Sequence, residues 1–485
     1  MRIAMVTPEC APWAQTGGLA DAVAALAQSI AREGHDVRIF LPLYDGILEQ
    51  ASPEAHPAAL EVHLGIGTRH ARLWERRESE SLRFYFIEYE QYFRGRAIYA
   101  DASGDYGDNP ERFTFFTRAV LDACYQLTWI PEILHGHDWT AGLLPVYLET
   151  AERGRPLGLA ASVFSIHNLQ HQGYAPKGIL DFAGLPQSLF RPDAVEAHGQ
   201  VQMLKAGLHF SSKLTTVSPR YAREIQTADY GHGLDPILRS RAADLIGIAN
   251  GIDTELWNPG KDPFLKHPFD PFHPEGKRRT KEELQRRWGL ACSPDLPCFA
   301  VVSRLCEQKG LDILAQILPD LMQHMSLQIA ILGQGERALE SRFQELSAHF
   351  PQCCRAFIAF DTALAHQLLA AADFVLMPSR FEPCGLTQLY AMHYGALPIV
   401  RETGGLADTV ENYDESTGNG TGFVFRDLEA GALYNAIGWA CSTYYDRPQH
   451  YGRMQRRAMS LELSWAHPSR RYLEVYRWAR ESKGG

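Results

Sequence analysis

The chain has 485 residues, of which 45% are hydrophobic and 21% charged, and a formal net charge of −10. This length predicts two or three domains, and the composition is that of a globular enzyme able to bury large cores. The acidic balance argues against a broad nucleic-acid footprint, which needs a basic face, and no run approaches the 18 apolar residues of a membrane span. Nine cysteines without a CxxC pair fit a reduced, cytoplasmic protein better than a disulfide framework or a zinc site. The first residues run directly into strand-like sequence, with no leader-like apolar segment.

In chain order, Arg2–Thr7 is a predicted strand. A loop runs through Pro12, and Gly17-Gly18 open a helix whose Leu19, Val23, Leu26 and Ile30 form one apolar stripe. Gly34 falls at the C-cap position, and Val37–Leu41 is the next strand. This is one unit of a doubly wound α/β sheet. Ile133–His137, Ala161–His167 and Lys213–Val217 read as further buried strands. Pro259–Glu275 has no clean period and reads as a connection between lobes. A basic helix, Lys277–Trp288, follows. A second series has strands at Phe299–Val302, Gln328–Leu332, Phe374–Met377 and Pro398–Val400, with helices such as Leu311–Met322 between them. An amphipathic helix, Ser469–Lys483, comes last.

One pattern, TGGLAD-x-V, occurs at Thr16–Val23 and again at Thr403–Val410. A glycine pair at a strand-to-helix turn lets a ligand approach the backbone and leaves helical N–H groups open to a phosphate or hydroxyl. Alternatively, it only makes a tight turn. Two copies, one per lobe, point to two half-sites at Gly17-Gly18 and Gly404-Gly405. Arg304 and Lys309 follow the strand Phe299–Val302, where two cations can hold a diphosphate; for Lys309 a solvated loop is an equal reading. Glu382 lies in the Pro-flanked turn Pro378–Leu386, with Cys384, whose first reading is a small packing residue. His167 and Asn168 end a strand, either to bond sugar hydroxyls or with His167 as a satisfied core histidine. His135 and His137 form an H-x-H without an obvious third metal ligand, and Asp138 reads as the N-cap of the next helix. No two aspartates stand two apart, so no D-x-D pair chelates a metal; this points to metal-independent chemistry and no cofactor.

The segments TPECAPWAQTGGLAD, HGHDWTAGLLPVYL, SIHNLQHQG, NGIDTELWNP, VVSRLCEQKGLD, PSRFEPCGLTQLYAM and TGGLADTV, in this order and spacing, resemble bacterial glycogen synthases and plant starch synthases over nearly the whole chain. The resemblance implies a GT-B fold, two facing Rossmann-like domains with the active site in the interdomain cleft. The first domain would be 1–255, with 466–485 crossing back to it, and the second 256–465. It implies transfer of glucose from a nucleoside diphosphate glucose, usually ADP-glucose, to the non-reducing end of an α-1,4-glucan with retention. By the same resemblance Arg304 and Lys309 grip the diphosphate, Glu382 lies by the glucose ring, and His167 contacts the glucose. Asp138 and Asn168 line the sugar site. Gly18, Cys384, Gly385, Leu386 and Thr387 supply backbone contacts, Asn250 and Asp253 lie in a hinge-side loop, and Asp21 is structural or acceptor-side. Two positions depart from the family: Gln15 replaces a lysine, and Ala359-Phe360-Asp361 replaces a Gly-Tyr-His-like run, leaving Phe360 to stack on the base. A glucosyltransferase making a maltose phosphate, or a weakly active glucan-binding relative, are the competing readings.

Overall fold

The computed structural model describes residues 1–101 and 104–484. The chain forms two compact units, Met1–Gly251 together with the residues from Trp465 on, and Ile252–Ser464. Pro259–Glu275 therefore lies inside the second unit rather than between units. It packs there through Asp262, which accepts from Tyr394 Oη (2.6 Å) and pairs with His366 Nδ1 (2.7 Å).

In the first unit the parallel core runs, edge to edge, Leu82–Glu88, Asp36–Pro42, Arg2–Val6, Ile133–His137, Ala161–Ile166, Lys213–Thr216, Leu245–Gly247. Counted along the chain this is strand order 3-2-1-4-5-6-7. The central strands are buried on both faces and mostly apolar, as in Arg2–Val6 and Ala161–Ile166. An antiparallel extension, Gly67–Arg77 with Leu60–Leu64 and Glu54–Ala55, continues beyond Leu82–Glu88. The alternating burial of Leu60, Val62 and Leu64 shows a sheet with one wet face.

The first helix, Gly18–Arg32, buries Val23, Leu26 and Ile30 as the stripe requires; Leu19, next to the open N-terminus, is only partly covered. The final helix, Ala466–Gly484, packs on this unit. Ser29 Oγ donates to Ser469 Oγ (2.9 Å), and Tyr476 Oη meets His135 Nδ1 (2.8 Å).

The second unit has six parallel strands in the order Cys354–Ile358, Gln328–Gly333, Cys298–Val302, Phe374–Met377, Leu397–Arg401, Phe423–Phe425. Along the chain that is 3-2-1-4-5-6, the doubly wound order of dinucleotide-binding folds. In both units the order reverses between strands 1 and 4. The loops leaving those two strands diverge there and leave a crevice at the carboxyl edge, where ligands of open α/β sheets bind.

Candidate active site

In the first unit the loop after strand 1 is pinned by Glu9. Its Oε1 accepts from Tyr99 Oη (2.6 Å) and Thr16 Oγ1 (2.8 Å), and its Oε2 from the amides of Thr16 and Gly17. Burial raises the Glu9 carboxyl pKa against the pull of these four bonds. Gln15, Thr16, Gly17 and Gly18 are exposed, and Gln15 Nε2 donates to Asp21 Oδ2 (2.8 Å).

Strand 4 ends at His137, and Asp138 follows in a left-handed conformation (φ 54°, ψ −175°) that a non-glycine residue holds only when its surroundings over-determine it. The surroundings do so here. Asp138 donates its amide to Ser165 O (2.9 Å), and its Oδ1 accepts from the amides of His167 (2.7 Å) and Asn168. The carboxylate thus fastens the turn after strand 5. It makes no side-chain bond to the turn that starts at Trp139, so the N-cap reading is corrected. Burial raises its pKa to about 7, opposed by the two amides and assisted by the Glu9 charge. Asn168 Oδ1 accepts from Gln170 N (3.0 Å), closing the same turn. His137 Nδ1 lies 3.0 Å from His167 Nε2, so the H-x-H histidines belong to a hydrogen-bond network. No group of three or more His, Cys, Asp or Glu among the described residues is placed to hold a metal ion.

In the second unit Arg304 is exposed after strand 1 and bonds Gln308 Oε1 through Nη2 (3.1 Å). Lys309 ends a short 3-10 turn, and its Nζ reaches Glu382 Oε2 at 2.6 Å. Ser379 Oγ donates to the same oxygen (3.0 Å). Glu382 is 5% exposed. A carboxylate this buried needs a charge partner, and Lys309 supplies it. The turn around Glu382 is braced from three sides. Arg380 makes two 2.8 Å bonds to Asp312, Arg401 donates to Arg380 O, and Gln388 Nε2 donates to Cys384 O (3.0 Å) and Gly385 O (2.7 Å). Cys384 is buried in the turn. Leu386 precedes the helix Thr387–His393, and Thr387 Oγ1 donates to Val302 O (3.3 Å).

The second glycine pair differs from its sequence-based role. Gly405 N donates to Glu382 O (3.0 Å) and Pro383 O (3.2 Å), so it holds the Glu382 turn and is not an open donor. A Cβ on Gly404 would lie 2.0 Å from Glu382 O, and one on Gly405 2.1 Å from Cys384 O. Gly404-Gly405 thus make a close-packing contact between their loop and the Glu382 turn.

Asn250, next to the Gly251 end of the first unit's main segment, is 8% exposed, with Oδ1 buried and unbonded among the described residues. Asp253 Oδ1 closes a turn with the amides of Glu255 and Leu256, inside the second unit. Phe360 is 67% exposed after the strand Cys354–Ile358, and Asp361 caps the next helix by accepting from Leu364 N (2.9 Å). Glu9, Tyr99, Ser379, Gln388 and Arg401 went unnoticed in the sequence. Glu9 stood inside a quoted segment, but nothing local marks a carboxylate that bonds a tyrosine ninety positions away.

Two doubly wound units, each with its polar residues gathered at the strand 1/strand 4 crevice, define a glycosyltransferase of the GT-B class. The model of the starch synthase catalytic domain matches residues 2–240, and that of group 1 glycosyl transferases matches 297–442. Glycogen synthase 1 of Geobacter metallireducens is 41% identical over 98% of this chain and 95% of its own length. The glycogen synthase of Treponema denticola is 41% identical over 100% and 99%. The catalytic domain of starch synthase IV from Arabidopsis thaliana, bound to ADP and acarbose, superposes with a TM-score of 0.92 at 32% identity, covering 99% of both chains. Sucrose-phosphate synthase from Thermosynechococcus elongatus shares the fold (TM-score 0.62, 17% identity, 98% of both chains). The chain belongs to the family of bacterial glycogen synthases and plant starch synthases.

Proposed function

We propose that this chain is a glycogen synthase that moves glucose from ADP-glucose to the non-reducing 4-hydroxyl of an α-1,4-glucan with retention. The observation that carries the reading is the buried Glu382 carboxylate, held through Oε2 by Lys309 and Ser379 at the carboxyl edge of the second sheet. With both bonds on one oxygen, Oε1 is left to face developing positive charge on a glucose ring. Lys309 and Arg304 take the diphosphate, and their charge stabilises it as it leaves. The C1–O bond to phosphate breaks while the acceptor oxygen bonds C1 on the same face, and the acceptor proton passes to the departing phosphate oxygen. We give His167, Asp138 and Asn168 to the sugar, and the exposed Gly17-Gly18 turn and Gln15 to the same chemistry. Phe360, with its face exposed, is assigned to the base.

The ADP in the starch synthase IV structure supports an adenine nucleotide. Diphosphate neutralisation is assigned to side chains, with no metal or cofactor in the proposal. All nine cysteines stand outside disulfides, and no helix among the described residues is long and apolar enough to cross a membrane; both fit a cytoplasmic enzyme.

The test is a donor panel of ADP-, UDP- and GDP-glucose against glycogen and, separately, glucose 1-phosphate. Chain elongation from ADP-glucose is expected. A maltose phosphate as the main product would replace the acceptor assignment, and absence of transfer from any donor would overturn the reading.

A further inference from the structure

Behind His167 the first unit carries a buried polar column. Tyr476 Oη, from the final helix, meets His135 Nδ1 (2.8 Å), and His135 Nε2 meets Ser165 Oγ (2.7 Å), which bonds Thr215 Oγ1. Both ring nitrogens of His135 are therefore engaged. The His137 ring lies tilted against it, centroids 4.1 Å apart, and reaches His167 Nε2 through Nδ1 at 3.0 Å. His137 is 1% exposed, and its other nitrogen, Nε2, is buried with no hydrogen-bond partner among the described residues. We propose that His137 is a positioning residue that holds His167 in its Nδ1–H tautomer, so that His167 presents a hydrogen-bond donor to the sugar. This rests on the sugar contact assigned to His167 above.

One proton lies between the two rings, and it can belong to either. If His167 donated it from Nε2, the proton of His137 would sit on its own Nε2, a buried N–H without an acceptor. Buried orphan donors are the rarer and costlier defect, on the order of 1–3 kcal/mol. If His137 donates from Nδ1, only a bare lone pair is left unpaired. The second arrangement wins, and it places the His167 proton on Nδ1.

The ring cannot easily escape this choice. Asp138 Oδ1 fixes the His167 backbone amide at 2.7 Å, and the His135 face limits rotation of His137. The titratable groups packed around the pair are His135, Asp138, Glu9 and Tyr476. Burial lowers all three imidazoles, His135 and His167 to about 3, and raises the two carboxyls and the tyrosine. The imidazoles are therefore neutral at pH 7, and the bond is one between neutral rings. His167 thus acts by donating a hydrogen bond, and proton shuttling is left to the phosphate oxygen.

The experiment is a long-range 1H–15N correlation on the full chain with 15N-labelled histidine. The signals of His167 are identified by their loss in His167→Gln. Wild type is expected to show the neutral Nδ1–H pattern. In His137→Asp, recorded above about pH 8 so that the new carboxyl is ionised despite its burial, the carboxylate can only accept, so His167 should switch to Nε2–H or become charged. The kcat should then fall about tenfold or more, with acceptor KM changed less than about threefold. His137→Asn places an amide N–H near the old Nδ1. It should keep the Nδ1–H signal and recover most of the rate lost in His137→Leu. An Nε2–H or charged His167 in wild type overturns the proposal, as does an Nδ1–H signal surviving in His137→Asp. If the Asp and Leu variants fail to fold, the wild-type spectrum decides alone. The Nδ1–H tautomer in a chain that transfers no glucose would overturn the function and leave the tautomer standing.

Discussion

The two copies of TGGLAD-x-V are alike in sequence and opposite in use. The first follows strand 1 of its sheet, and the second follows strand 5 of the other, so they are not equivalent positions of a repeated lobe. The glycine pair of the first copy is exposed. Gly17 has an extended backbone (φ −165°), a Cβ placed there would meet nothing within 4 Å, and a helix of 15 residues opens behind it. The second is buried, with Gly404 in a left-handed conformation (φ +43°) and both glycines pressed against carbonyls of the Glu382 turn. The position equivalent to the second copy in the first unit is the His167-Asn168 turn. The position equivalent to the first copy in the second unit is the Arg304–Lys309 loop. Similar peptides therefore serve as an open helix end in one sheet and as a wedge behind the buried Glu382 carboxylate in the other.

The largest expected effect tests what the wedge supports. Lys309→Ala leaves Glu382 buried without its charge partner, and kcat should fall about 100- to 1000-fold in a glucosyl-transfer assay. Near-normal turnover would end the Glu382–Lys309 assignment. Next, Gly404→Ala must push Glu382 O away and strain the backbone, costing about 2–4 kcal/mol in denaturant unfolding of the second unit. A change below about 1 kcal/mol would mean that the turn yields freely.

Asp138 gives an intermediate effect with a defined sign. Its folded pKa, about 7, lies above the usual 3.8, so it favours the folded state most below pH 4, and that contribution is lost as pH rises toward 7. Glu9 acts in the same direction. Asp138→Asn should lose less stability than wild type between pH 4 and pH 8, by on the order of 3 kcal/mol, read from melting curves at both ends. Equal slopes would contradict the raised pKa.

Gly17→Ala should change stability by less than about 0.5 kcal/mol, in contrast to Gly404→Ala, yet lower turnover about tenfold if the open helix end meets substrate. A large stability loss would erase the difference between the copies. The smallest effect is expected at Gln15→Lys. It replaces an exposed amide bond to Asp21 with an added cation, and should raise kcat/KM by less than about tenfold without moving the melting point. A fall in kcat/KM would remove position 15 from the donor site.

Much of the fold was legible because parallel strands are buried on both faces and read as short apolar runs. Ile133–His137 and Phe374–Met377 have the predicted ends. The region between residues 54 and 88 was not legible. Its antiparallel strands alternate with polar residues and take their pairing from the edge of a sheet already formed. Arg304, Lys309 and Glu382 could be singled out because they flank strands that end at the crevice. Their supports could not. Ser379, Gln388 and Arg401 act through backbone turns that exist only once the loops have packed.

By itself the sequence determined the two α/β series, the family, and which charged residues stand at strand ends, since all three depend on local order and spacing. Tertiary structure decided what the repeated peptide does in each place. It buried one glycine pair against the Glu382 turn and left the other open, turned Asp138 from a helix cap into the clamp on His167, and isolated one nitrogen of His137. Each of these depends on which backbone groups find a partner after packing, and that is settled by contacts between segments tens to hundreds of residues apart.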